Sequence, residues 1–285
     1  MYPHSLLGEL GKINGQEILT LYGVCIAIGI VMCIVVLRKA GKFIGIDAKF
    51  LDFAEMNGYA AILIGFFGAA LFQSIYDYIE NPAGGFSLSS GLTFLGGLIG
   101  GVSSFIIIYL FFKYKGKNKL TGRITDILPV VPCCITIAHG FGRLGCFFAG
   151  CCHGKATESW LGMTFHPDSP VYYYSTGNVY PQKVLPTNLF ESIFLFTLFG
   201  IMLYLLLKRK FKYNFVVYVA SYGLFRFFIE FIRGDSRGEL LGILSPSQTW
   251  SIVMVLGAIP LYFALKKLYE LRDAEKALQV AQNAE

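Results

Sequence analysis

The chain has 285 residues, of which 55% are hydrophobic and 16% aromatic, with only 15% charged. That balance argues against a soluble domain of similar length and for a polytopic membrane protein. The formal net charge of +6 does not call for a nucleic-acid partner, because basic residues beside anionic lipid headgroups account for it.

Stretches of about 20 apolar residues are long enough to cross a bilayer. Seven occur, at 18–37, 57–76, 91–112, 124–142, 187–207, 214–232 and 243–265. The expected fold class is all-α: a single integral membrane domain over 1–285 with about seven transmembrane helices. The first run lacks a basic leader and leads on into further spans, so no cleavable signal is expected. The fourth is the least regular, since it contains Pro129, Pro132 and His139 and ends in glycine-rich sequence. Between the fourth and fifth runs, residues 150–186 form a long aromatic, proline-containing loop, expected to lie at the headgroup layer outside the membrane. Residues 266–285 read as a charged, solvated helical tail.

Basic residues set the expected orientation. Arg38, Lys39, Lys42 and Lys49 follow the first run, and Lys113, Lys115, Lys117, Lys119 and Arg123 follow the third. Lys208, Arg209, Lys210 and Lys212 follow the fifth, and Lys266, Lys267, Arg272 and Lys276 lie in the tail. Seventeen of the 24 Lys and Arg thus fall on alternate loops, which the positive-inside rule makes cytoplasmic. The N-terminus is then outside, the C-terminus inside, in agreement with an odd number of spans.

Ionisable groups within such runs are the candidates for function. Arg226 lies inside the apolar run 218–232 and Arg233 directly follows it, while Arg143 closes the glycine-rich end of the fourth run. A cation near hydrocarbon costs about 2.5–3.5 kcal/mol on insertion scales, so such groups face a bundle interior or a wet cavity. Arg226, Glu230 and Arg233 follow spacings of four and three, which puts them on one helix face. One reading is an intramembrane site for an anionic group such as a lipid phosphate. The other is structural, with Glu230 neutralising both arginines to hold helices together.

Glycines and cysteines divide similarly. The segment GLTFLGGLIGG at 91–101, with Gly96 and Gly97, allows close helix approach, or bare backbone that admits a headgroup at a helix start. Cys25, Cys33, Cys133 and Cys134 fall within spans and are expected to pack as small hydrophobes. Cys146, Cys151 and Cys152 lie at the outer end of the fourth span. Their C-x4-C-C spacing, followed by His153, lacks the second ligand pair typical of structural zinc. Close packing is the default there, and no metal or cofactor is expected.

The string GRLGCFFAGCCHG at 142–154 resembles the signature of bacterial prolipoprotein diacylglyceryl transferases, G-R-x-G-N-F-x-N-G-E followed by a further glycine. Tyr22-Gly23 resembles that family's Y-G in the first span, and residues 91–100 a segment ending F-H-G-G-L-I-G. PTNLFE at 186–191 is similar to H-P-S-Q-L-Y-E, residues 222–233 to Y-G-x-x-R-x-x-x-E-x-x-R, and GILSPSQ at 242–248 to the G-Q-I-L-S opening of the last span. The ordered set covers nearly the whole chain. The resemblance implies a multi-pass transferase of the bacterial inner membrane. Its donor is phosphatidylglycerol and its acceptor the lipobox cysteine of a prolipoprotein. It points to Arg143, Arg226 and Arg233 for the donor phosphate, Glu230 to orient them and Tyr22 for the headgroup. His139, one turn before Arg143, or His153, after the cysteine pair, is the candidate substitute base. Gly96, Gly97, Gly142, Gly145, Cys146, Gly154 and Glu191 are the substrate-binding candidates.

Five departures accompany it. Leu95 and Leu185 stand where the family has histidines, and Cys146 and Ala149 replace its signature asparagines; Cys151 stands at the acidic position. A phosphate cradle without the usual thiol-activating groups is the alternative these imply: a divergent, anionic-phospholipid-binding membrane protein with a different or absent activity.

Overall fold

A computed structural model describes residues 12–13, 16–17, 20–82, 85–88, 93–115, 120, 122–165, 183–234 and 244–282. Among these the chain is helical: α1 Leu21–Phe43, α2 Ala48–Glu80, α3 Phe94–Tyr114, α4 Ile124–Ile127, α5 Val131–Ala149, α6 Thr187–Arg209, α7 Asn214–Glu230 and α8 Pro246–Gln282. Two two-residue strands, β1 Lys12–Ile13 and β2 Gln16–Glu17, pair antiparallel ahead of α1. Six helices are long and apolar enough to cross a membrane. The seventh expected span, 214–232, is the 17-residue helix α7, at the short end of the spanning range of about 17–25 residues.

The chain divides into two compact units, one of Gly41–Asp126 and one of Met1–Ala40 with Ile127–Glu285. In the first, α2 and α3 pack glycine against glycine. A Cβ on Gly68 would come 2.7 Å from the Gly96 carbonyl oxygen, and one on Gly96 would come 2.5 Å from that of Gly68 and 2.6 Å from Phe72 Cβ. Without lipid-excluding hydrophobic drive, close van der Waals approach of this kind is what holds membrane helices together. Gly96 and Gly97, expected among the substrate-binding residues, lie in this seam, and a Cβ on Gly97 would come 3.5 Å from Ala69 Cβ. Gly96→Ala is expected to force α2 and α3 apart and to destabilise by about 1–3 kcal/mol, the usual cost of overpacking. Thermal unfolding in detergent checks this, and an unshifted midpoint contradicts the packing role.

In the second unit α5 packs on α6, and α7 on α8. The fourth expected span is displaced. Residues 124–127 form the separate turn α4, and the spanning helix starts at Val131 with Pro132 in its first turn, where a missing N–H costs nothing. It then continues through the glycine-rich GFGRLG, expected to end it, as far as Ala149. Close neighbours fix that continuation: a Cβ on Gly140 would come 2.7 Å from Phe196 Cε1, and one on Gly145 would come 3.0 Å from Tyr22 Cδ2. Gly150 ends the helix in the left-handed conformation at φ 72°. Buried polar groups tie the elements: Asn214 Nδ2 donates to the carbonyls of Met202 and Pro129 at 3.1 and 3.3 Å, and Ser192 Oγ donates to Gly140 at 3.0 Å. Cys133 and Cys134 are buried as expected, with Cys134 Sγ 3.5 Å from the Cys33 carbonyl oxygen.

The loop expected at 150–186 is more ordered at its described ends than an irregular headgroup-layer segment. Met163 and Val184 exchange both backbone hydrogen bonds, at 2.9 and 3.0 Å, and Phe165 and Val184 pack on Phe147. Residues 166–182, which hold four of the loop's tyrosines, fall outside the described residues.

Candidate functional site

Three segments of the second unit converge on one charged cluster. The last turns of α5 carry His139, Arg143 and Cys146; α6 begins with Thr187, Asn188 and Glu191; α7 carries Tyr222, Arg226 and Glu230. The α5 and α7 series repeat at three or four residues, and Glu191 follows Asn188 by three and Thr187 by four, so each helix turns polar side chains towards the cluster.

Glu191 is at the centre, wholly buried at 0% side-chain exposure. Its Oε1 lies 3.1 Å from Arg143 Nε, accepts the Tyr222 hydroxyl at 2.8 Å and is 3.8 Å from His139 Nε2. Arg143 Nε also donates to His139 Nε2 at 3.3 Å, which requires a neutral imidazole with its proton on Nδ1. One carboxylate thus holds an arginine and a tyrosine, and the arginine in turn holds His139. Arg143 keeps 20% of its side chain exposed, so its fork is held but not enclosed. Glu191, expected to bind substrate, has the geometry of a holder for Arg143.

One turn along α7 a second carboxylate repeats the arrangement. Glu230 Oε2 is 2.8 Å from Arg226 Nη2 and 3.8 Å from Arg233 Nε, and Glu230 Oε1 accepts the Ser245 hydroxyl at 3.0 Å. The helix-face reading of these residues therefore holds, although α7 ends at Glu230 and Arg233 follows in a turn. Arg226 Nη2 also donates to Ser247 Oγ at 3.1 Å, at the start of α8. Both guanidiniums are buried. Among the described residues, Arg226 Nη1 and Glu191 Oε2 are enclosed with no hydrogen-bond partner. An enclosed donor left unpaired costs about 1–3 kcal/mol, more when charged, a cost that sites for ions characteristically carry.

Backbone pairing closes the cluster. Gly154 forms an antiparallel bridge with Arg233, Lys155 N donates to the Ile232 carbonyl at 2.9 Å, and Gly154 N to that of Leu185 at 2.7 Å. A Cβ at Gly154 would meet the Ile232 carbonyl oxygen at 2.7 Å and Leu185 Cβ at 2.7 Å. This glycine is needed for docking the post-α5 loop onto Arg233. Gly145 lets Tyr22 lie against α5, and a Cβ on Gly142 would come 3.9 Å from Ile26 Cδ1, an ordinary contact. Cys152, just beyond α5, senses both ends of the cluster. Hydrogen bonds from the Cys146 and Cys151 thiols, together with the Arg233 and Arg143 guanidiniums, hold its thiol below the ordinary range, while its two thiol neighbours push Cys151 up.

Sequence reading missed Tyr222, Ser245, Ser247 and Asn188. Tyr222 had a signal, because it precedes Arg226 by four residues on the same face. The serines and Asn188 had none beyond their position at helix starts. Gly96 and Gly97 belong to the α2–α3 unit.

These features define a multi-pass membrane protein whose buried centre pairs three arginines with two carboxylates. The sequence pattern of the prolipoprotein diacylglyceryl transferases matches residues 10–264, and the chain belongs to that family of membrane transferases. It is 35% identical over 239 residues to the phosphatidylglycerol–prolipoprotein diacylglyceryl transferase of Clostridium tetani, covering 82% of this chain and 88% of the relative. Identity to the second such transferase of Clostridium perfringens is 32% over 264 residues, 89% of this chain and 93% of that one. To that of Clostridioides difficile it is 31% over 252 residues, 86% and 90%. The bacterial relatives and the six apolar helices make it a multi-pass protein of the bacterial inner membrane.

Proposed function

We infer that this chain transfers a diacylglyceryl group from phosphatidylglycerol to the cysteine thiol of a prolipoprotein. The observation that carries the reading is Arg226, buried, paired with Glu230 and Ser247, yet with Nη1 unsatisfied, beside Arg143 held part-exposed by Glu191. A guanidinium fork matches phosphate oxygens. Arg143, Arg226 and Arg233 receive the donor phosphate, and Tyr22, packed against Gly145, contributes to headgroup binding.

The reaction is a displacement. The acceptor sulfur attacks the glyceryl carbon that bears the phosphate; the S–C bond forms as the C–O bond breaks, and glycerol phosphate leaves with the electron pair. Charge builds on the departing phosphate, where positioned cations stabilise the transition state more than the ground state. The same positive field favours the thiolate of the incoming cysteine. His139 takes the thiol proton once Arg143 turns from its Nε2 to the phosphate. With the N-terminus outside and the 266–285 tail in the cytoplasm, the 150–186 arm meets a translocated prolipoprotein first.

Reconstitution with labelled phosphatidylglycerol and a lipobox peptide tests this. The expected result is a mass gain of one diacylglyceryl group on the peptide cysteine with release of glycerol phosphate. Donor binding without any mass gain overturns catalysis and leaves an anionic-lipid-binding protein.

A further inference from the structure

The diacylglyceryl transfer reaction uses the acceptor's thiol and has no use for three of the chain's own. Cys146 sits in the last turn of α5, and Cys151 and Cys152 follow its glycine cap. Their Sγ atoms all lie within 4.8 Å of one another, and each residue is part-exposed, unlike the buried Cys25, Cys133 and Cys134.

The backbone presenting them is fixed from outside the cluster. Asn188 Nδ2 donates to the Cys151 carbonyl at 2.8 Å and Thr187 Oγ1 to that of Cys152 at 3.0 Å, both from wholly buried residues. Gly234 N donates to the His153 carbonyl at 3.2 Å, next to the Gly154–Arg233 bridge. Cys152 itself is held left-handed at φ 57°, a conformation that a non-glycine residue keeps only where its surroundings impose it. In this conformation its sulfur lies within 4.8 Å of those of Cys146 and Cys151.

We propose that Cys146, Cys151 and Cys152 form a three-thiolate site for a soft, thiophilic metal ion of the Cu(I) or Zn(II) class. With metal–sulfur bonds of about 2.3 Å, three ligand sulfurs lie about 3.8–4.0 Å apart, so the cluster needs only small thiol rotations to bind. Thiolates select such ions over oxygen-preferring ones. Local charge fits as well. Three thiolates around a monovalent ion leave a net negative charge, and Arg143 and Arg233, both within electrostatic reach of Cys152, offset it. His153, whose Nδ1 contacts the Gly154 carbonyl at 2.8 Å, is outside the set. The trigonal donors therefore favour Cu(I), and Zn(II) binds with water in a fourth position.

Full-length protein, reduced and in detergent under argon, is titrated with Cu(I) against a chromogenic Cu(I) chelator, and separately with Zn(II). One equivalent of either ion is expected to bind, with X-ray absorption of the loaded wild type reporting three sulfur neighbours. Cys146→Ser, Cys151→Ser and Cys152→Ser should each weaken binding by at least about tenfold, and Cys133→Ser should leave it unchanged. Loss confined to one variant, a shell of nitrogen and oxygen only, or no binding by wild type overturns the site. So does a disulfide among these three cysteines that survives reduction, seen by thiol counting. The absorption measurement needs no variant, so a poorly folding serine mutant does not protect the proposal.

Discussion

Arg143→Ala is expected to reduce diacylglyceryl transfer by about 10²–10³-fold, the range seen when one preorganised donor to a developing anion is removed. It should also lower stability, because Glu191 is wholly buried and Arg143 is its cation at 3.1 Å. Removing one partner of a buried pair costs about 3–5 kcal/mol. A single variant therefore confounds folding with chemistry, and the pair Arg143→Ala with Glu191→Gln separates them. Neutralising Glu191 removes the stranded charge while retaining an acceptor for the Tyr222 hydroxyl. The double variant should regain most of the thermal midpoint and none of the transfer. Recovery of transfer along with stability would reduce Arg143 to a structural residue, as would full activity in Arg143→Ala alone. Arg143→Lys restores charge but not the fork, and should recover less than a tenth of the rate.

Glu230→Ala has the second large effect. It leaves Arg226 and Arg233 buried, like-charged and without the carboxylate that lies 2.8 and 3.8 Å from them. It also deprives Ser245 of its acceptor. A loss of about 3–5 kcal/mol is expected. An anion that occupies the space between the guanidiniums should replace part of what the carboxylate provided. Glycerol phosphate at 100 times its dissociation constant adds about 2.7 kcal/mol to whichever state binds it. The thermal midpoint of Glu230→Ala should therefore rise more steeply with glycerol phosphate than that of Glu230→Gln, which keeps the shape and an acceptor for Ser245. Equal response of both variants to glycerol phosphate and to chloride at matched ionic strength would show that these arginines hold helices together and do not bind phosphate.

Local pattern made much of this protein readable. Runs of about 20 apolar residues announce helices because lipid leaves no other way to satisfy the backbone, and each of the seven expected runs overlaps a helix, the fourth of them displaced to Val131–Ala149. The spacing of Arg226, Glu230 and Arg233 predicted their ion pairs, since helix geometry alone brings residues three and four apart together. The prolines at 129 and 132 were misleading in one respect. They make the run from 124 irregular, whereas Pro132 lies in the first turn of a new helix, and the glycines expected to end it are matched to Tyr22 and Phe196. Whether a glycine breaks a helix or admits a neighbour depends on what stands opposite, and a one-dimensional string does not contain that.

Composition, charge and short-range periodicity thus fixed the class, the helices and the identity of the arginines, because each is a property of residues a few positions apart. Tertiary structure alone decided that Glu191, from a different helix, holds Arg143 and Tyr222 together, that Gly154 docks on Arg233, and that three cysteines meet. The first two join segments about 30–80 residues apart, and the energy of the Glu191 contacts comes from excluding water and lipid around complementary charges, which exists only once the helices have packed; the cysteines are neighbours in sequence and meet because the chain turns at the left-handed Gly150.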